Sequence, residues 1–143
     1  MPERKLNAEG FTLIELLTVL VIVGVLVAVA VPSTGRFLDN ISFRRQTNKI
    51  MATLRYARLV SVSRGQEVHV KLDQDNDTIL QLSGAVEERK EFGLTENDHL
   101  KIEPEEIIFF PEGVATPAVL TFTKGDRTRK ITLELLTGLP SIT

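Results

Sequence analysis

Glu15 is the only charge between Phe11 and Val31, a run of 21 residues that is otherwise apolar or neutral. An acid in hydrocarbon costs on the order of 2.5–3.5 kcal/mol at mid-membrane and less near an edge, so something must compensate it or the chain bears an expense. Glu15 lies four residues after Phe11. Cleavage after Gly10 would set a new α-amino group about 6 Å up the same helix. An ammonium and a carboxylate attract strongly at low dielectric, so whichever neighbour offers the amine is held in a fixed axial register. Thr12-Leu13-Ile14-Glu15 also fits a capping box, and an acid in the first turn suits the helix dipole. Capping alone does not require a long apolar helix to follow.

Two plainer readings compete for residues 1–35. Arg4 and Lys5, the apolar run and the small residues Ala28-Val29-Ala30 have the order of a secretory signal peptide, although the run is long for one and contains an acid. A simple membrane anchor explains the length and leaves Glu15 without a purpose.

The remaining residues of chemical interest form no site. Asp73-Gln74-Asp75-Asn76-Asp77 begins like a calcium loop, but Thr78 and Gly84 stand where glycine and glutamate are needed, so an Asx-rich turn is expected. His69 and His99 are thirty residues apart and have no accompanying nucleophile or metal motif. There is no cysteine and no phosphate-binding glycine loop. The expectation is no catalytic residue, no metal and no cofactor, and hence no enzyme. Lys124, Arg127, Arg129 and Lys130 cluster around a turn and offer a possible phosphate contact, with a solvated turn as the plainer alternative. A formal charge of −2 gives no overall drive toward nucleic acid.

A chain of 143 residues holds one small domain and an appendage. Phe43, Thr47, Ile50, Leu54, Ala57 and Ser61 recur at spacings of three and four, which predicts a helix with a narrow buried seam, continuing the apolar one to about residue 64. Pro32 predicts a kink and Gly65 a stop. Beyond Gly65 the period becomes two. Strands are expected at 67–72, 78–82, 107–110, 119–123 and 131–135, with residues 84–105 left between strand and helix. The charge is also sorted. Residues 32–66 carry +6 and residues 67–112 carry −9, an asymmetry that predicts either neutralisation across a packing face or an interaction surface.

Gly10-Phe11-Thr12-Leu13-Ile14-Glu15-Leu16, followed by an apolar run ending near Pro32, resembles the class III signal and N-terminal helix of type IV pilins and type II secretion pseudopilins. Leu54-Arg55-Tyr56-Ala57-Arg58, Ser61, Arg64-Gly65-Gln66 and the ending Leu136-Thr137-Gly138 are similar to the GspH/FimT group of minor pseudopilins and minor pilins. The resemblance implies an α+β fold, with a long, Pro-kinked transmembrane helix packed on a mostly antiparallel two-sheet β domain. It implies a leader at 1–10 removed by prepilin peptidase between Gly10 and Phe11, N-methylation of Phe11, a membrane and fibre-core helix at 11–32, and a head at 33–143. Glu15 then serves fibre assembly.

The implied partners are other pseudopilins or pilins, the peptidase, an inner-membrane assembly platform, and lipid before assembly. The implied location is the inner membrane, single-pass, with the head periplasmic and the fibre tip as destination. The positive-inside rule taken alone points the other way, since Arg4 and Lys5 are offset by Glu3 and Glu9 while Arg36, Arg44 and Arg45 follow the run. The resemblance overrides it. The function implied is a minor pseudopilin of the type II secretion pseudopilus. The alternative is a FimT-like minor type IV pilin for pilus assembly or DNA uptake. Some members of that branch use a basic C-terminal tail, whereas Thr137–Thr143 here carries no base.

Overall fold

A computed structural model describes residues 10–143, with the side chains of residues 30–36 outside that description. It has one helix and eight strands: α1 (Leu13–Arg64), β1 (Val68–Leu72), β2 (Ile79–Gly84), β3 (Glu88–Glu91), β4 (Asp98–Glu103), β5 (Glu106–Phe109), β6 (Ala118–Lys124), β7 (Arg127–Leu133) and β8 (Pro140–Ile142). Two compact units divide the chain, the second being Ile41–Thr143. The helix runs through position 32 without a break. The predicted kink falls on side chains outside the described residues, as does the leader up to Glu9.

Among the described residues no helix is long and apolar enough to cross a membrane. The described apolar stretch Leu13–Val29 is about 25 Å long at 1.5 Å per residue. A hydrocarbon core is about 30 Å thick. The sequence run reaches Val31, beyond that stretch.

In the second unit the predicted seam is the buried face of α1. Phe43, Thr47, Ile50, Leu54, Ala57 and Ser61 are all buried. The two polar members are satisfied locally: the Thr47 hydroxyl donates to the Phe43 carbonyl at 2.9 Å, and the Ser61 hydroxyl lies 2.8 Å from the Arg58 carbonyl. Gly65 adopts φ +63°, and the Gln66 amide reaches back to the Ser61 carbonyl, closing the helix with the left-handed cap that a Cβ disfavours.

The strands form two four-stranded antiparallel sheets, ordered β3-β2-β1-β5 and β4-β6-β7-β8. Inward residues alternate as the period of two requires: Val68 and Val70 on β1, Leu100 and Ile102 on β4, Leu120 and Phe122 on β6. They join the helix seam in one core, where Phe43 stacks on Phe122 with ring centroids 5.0 Å apart. The undecided region 84–105 supplies β3 and β4, with the chain crossing between sheets on each side of β4. Charged residues fill β3 because it is an edge strand that the core does not cover on both sides. The tail supplies β8, another edge.

Among the described residues no ion pair joins the basic helix to the acidic segment, and the expected neutralisation is confined to the influence of Arg64 on Glu88. The β region pairs its own charges, such as Arg89 with Asp73 and Lys124 with Asp98. Arg58 and Arg64 spend their donors on backbone carbonyls instead.

Candidate functional site

Thr12 caps the first turn of α1. Its side-chain oxygen accepts the Glu15 amide at 3.3 Å, and its carbonyl accepts the Glu15 and Leu16 amides. Half of the expected capping box is therefore present, and the Glu15 carboxylate is not consumed by it. That carboxylate is exposed and finds no cation among the described residues. From Phe11 to Val29 every side chain is exposed, including Phe11 at 80% and Leu13 at 85%. A helix that is apolar on all sides needs a surrounding of lipid or other helices. Gly10, Phe11 and Glu15 thus sit on one bare stretch of unsatisfied surface.

The other end of the helix is built differently. Arg58 Nε donates to the carbonyls of Thr137 at 2.6 Å and Gly113 at 3.1 Å, so one guanidinium on α1 ties the loop after β5 to the turn before β8. Both turns need glycine. Gly138 has φ +59°, and a Cβ there would stand 2.7 Å from the Gly113 carbonyl oxygen. Ser61 Oγ lies 3.2 Å from the Phe110 carbonyl, and Arg64 donates to the Ala85 carbonyl at 2.5 Å. The Tyr56 hydroxyl donates to Glu88 at 2.9 Å, and Lys90 sits over the Tyr56 ring while pairing with the same carboxylate. Hydrogen bonds from Lys90 and then Tyr56 hold the Glu88 carboxyl below its ordinary range, and Glu88 in turn raises the Tyr56 phenol.

The sequence pattern Tyr56, Arg58, Ser61, Arg64 is therefore a row of polar teeth fastening the helix to strand β3 and to loops of both sheets. Sequence reasoning singled out these residues without finding their partners. The turn glycines Gly113 and Gly138 were the available signal.

The four bases considered for phosphate contact do not form one patch. Lys124 is 3.5 Å from the buried Asp98 carboxylate and donates to Gln46 Oε1 at 3.1 Å. Strand alternation puts Arg127 and Arg129 on the inward side of β7 and Lys130 on the other. Arg129 lies over the Phe43 ring at 5.7 Å.

The polar turn at 73–77 is an Asx turn. Asp73 Oδ1 accepts the Asp75 amide and Asn76 Oδ1 the Thr78 amide. His69 Nδ1 is 2.7 Å from Glu106, whose carboxyl is held low first by that hydrogen bond and then by Lys71. His99 is 3.3 Å from Asp77. Among the described residues no group of three or more ligating side chains gathers to hold a metal ion.

A capped, exposed apolar helix continuing into a head of two antiparallel sheets defines a pilin-like subunit. Residues 5–31 match the prokaryotic N-terminal methylation motif, and residues 46–137 match the family described as type II transport protein GspH. The chain belongs to the GspH family. No curated protein sequence matches it. Among solved structures it is similar to the type IV minor pilin FimU of Pseudomonas aeruginosa, with 17% identity, 75% of this chain and 92% of that chain covered, and a TM-score of 0.61. It is also similar to the minor pseudopilin EpsH of the Vibrio cholerae type 2 secretion system, with 16% identity, coverage of 67% and 91%, and a TM-score of 0.52. At these identities the likeness concerns the fold. Assembly with other pilin-like subunits follows from the family.

Proposed function

We propose that the chain is a minor pseudopilin, a structural and non-enzymatic subunit of a type II secretion pseudopilus involved in protein export. Prepilin peptidase removes residues 1–10 between Gly10 and Phe11, and Phe11 becomes N-methylated. The helix at 11–32, kinked at Pro32, waits in the inner membrane as a single span with the head at 33–143 in the periplasm. The assembly platform then moves it into the fibre, near the tip. There Glu15 pairs with the N-terminal amine of an adjacent subunit. The observation that carries this reading is the exposed apolar surface of Leu13–Val29 with one unpaired carboxylate in its first turn. Lipid or neighbouring helices would cover the apolar surface, and a neighbour's ammonium would offset the desolvated charge.

Replacing Glu15 by Leu removes the axial pairing without touching the processing site. The expected outcome is normal shortening by the peptidase with loss of the variant from sheared fibres, and normal incorporation would refute the pairing. A bulky residue at Gly10 is expected to leave the full-length chain on mass spectrometry. The DNA-uptake alternative relies on Lys124, Arg127, Arg129 and Lys130. It expects salt-dependent binding of duplex DNA that disappears when the four are neutralised.

A further inference from the structure

Arg44, Arg45 and Lys49 of α1 are exposed and meet no carboxylate in an ion pair among the described residues, and one of them lines a recess. Arg44, Thr47 and Asn48 on the helix face Arg129 on β7 and Ile142 on β8 across a surface cavity. No acid lines it. Arg45 and Lys49 flank the same helix surface beside Arg44 and Asn48. Arg129 Nε is buried with no acceptor, although its guanidinium is held in place over the Phe43 ring. Two guanidinium groups, one of them with its Nε buried and without a partner, and the Ile142 side chain make a receptor for a planar anion on an aliphatic stem.

We propose that this recess seats a carboxylate side chain, Glu or Asp, from the head of the next pilin-like subunit in the fibre. The inference rests on the fibre-subunit reading above. A carboxylate matches the fork of an arginine with two parallel hydrogen bonds, and the stem of its side chain would lie along Ile142. The acidic half of this head shows how such a partner surface is made: Glu91, Glu96, Glu105 and Glu112 are exposed and unpaired among the described residues. A contact between unlike faces, cationic on one subunit and acidic on the next, propagates along a helical fibre instead of closing into a dimer. A nucleic-acid backbone fits less well. It needs cations in a continuous track, whereas Lys130 points from the opposite face of β7 and Lys124 is committed to Asp98.

The test uses the full-length chain in cells that make the complete set of fibre subunits, with a photo-crosslinking amino acid at Asn48. The expected product is an adduct with a pilin-like subunit, mapped to a peptide bearing Asp or Glu. Its yield should fall about tenfold in Arg44→Gln/Arg129→Gln, as loss of charge-assisted bonds predicts, and stay level in Arg127→Gln/Lys130→Gln. A parallel crosslinker at Leu26 reports fibre packing. If Leu26 captures a neighbour while Asn48 captures none, or captures one regardless of the two arginines, the recess proposal is overturned and the fibre reading stands. If neither position captures a pilin-like chain, the fibre reading fails as well. An Asn48 adduct with nucleic acid overturns the carboxylate assignment.

Discussion

The two ends of α1 use the same secondary structure to opposite effect. Between Leu13 and Val29 apolar side chains point in every direction and all are exposed. Between Phe43 and Arg64 one seam is buried, polar teeth reach loops on either side, and the opposite flank is cationic. The second half gains its place from a core inside its own chain. The first has no such core among the described residues, and a surface apolar on every side calls for a cover of lipid or other helices. Helical propensity is therefore not what distinguishes a folding element from an assembly element here; the angular distribution of apolar residues is.

Mutations in the two halves should diverge accordingly. The largest effect is expected for Phe122→Ala in the core facing Phe43, a loss of about 3–5 kcal/mol in urea unfolding of the full chain. Leu20→Ala on the exposed stretch should leave the same unfolding transition unchanged. Equal losses would erase the distinction between the halves.

Gly138→Ala comes next. It forces a Cβ toward the Gly113 carbonyl at a positive φ, and about 2–3 kcal/mol should be lost as backbone strain and a displaced loop. Arg58→Met should cost somewhat less, about 1–3 kcal/mol, because two carbonyls lose a charged donor while the aliphatic stem is kept. An effect near zero would show that α1 is held by its apolar seam alone.

The smallest effect concerns pH. The Glu106 carboxyl is held below its ordinary value by His69 and Lys71, so its stabilising contribution is fully present above about 4.5 and is lost as pH falls through the lower folded value. Thermal melting on that acid limb should flatten slightly in Glu106→Gln.

Periodicity identified the seam residues Phe43 to Ser61 and five of the strands, because repeats of 3.6 and two are written directly into which side chains are apolar, and the glycine at 65 marked the stop. It did not place β3, whose Glu88-Arg89-Lys90-Glu91 carries no apolar alternation since an edge strand answers mainly to its neighbour's backbone. Nor did it find β8, three residues long and paired only with β7.

The charge pattern was legible as an asymmetry but not as a mechanism. Opposite net charges in adjacent segments are a sum over the sequence, whereas ion pairing depends on which side chains meet. The chain by itself determined the capped apolar helix with its lone acid, the buried seam and the change of period at Gly65. Only the tertiary structure decided that Arg58 and Arg64 serve carbonyls, that Lys124 turns inward to Asp98, and that Arg44 and Arg129 converge on one recess. Those outcomes depend on contacts between residues dozens of positions apart, and the fold brings them together through the register of strands and the rotation of the helix.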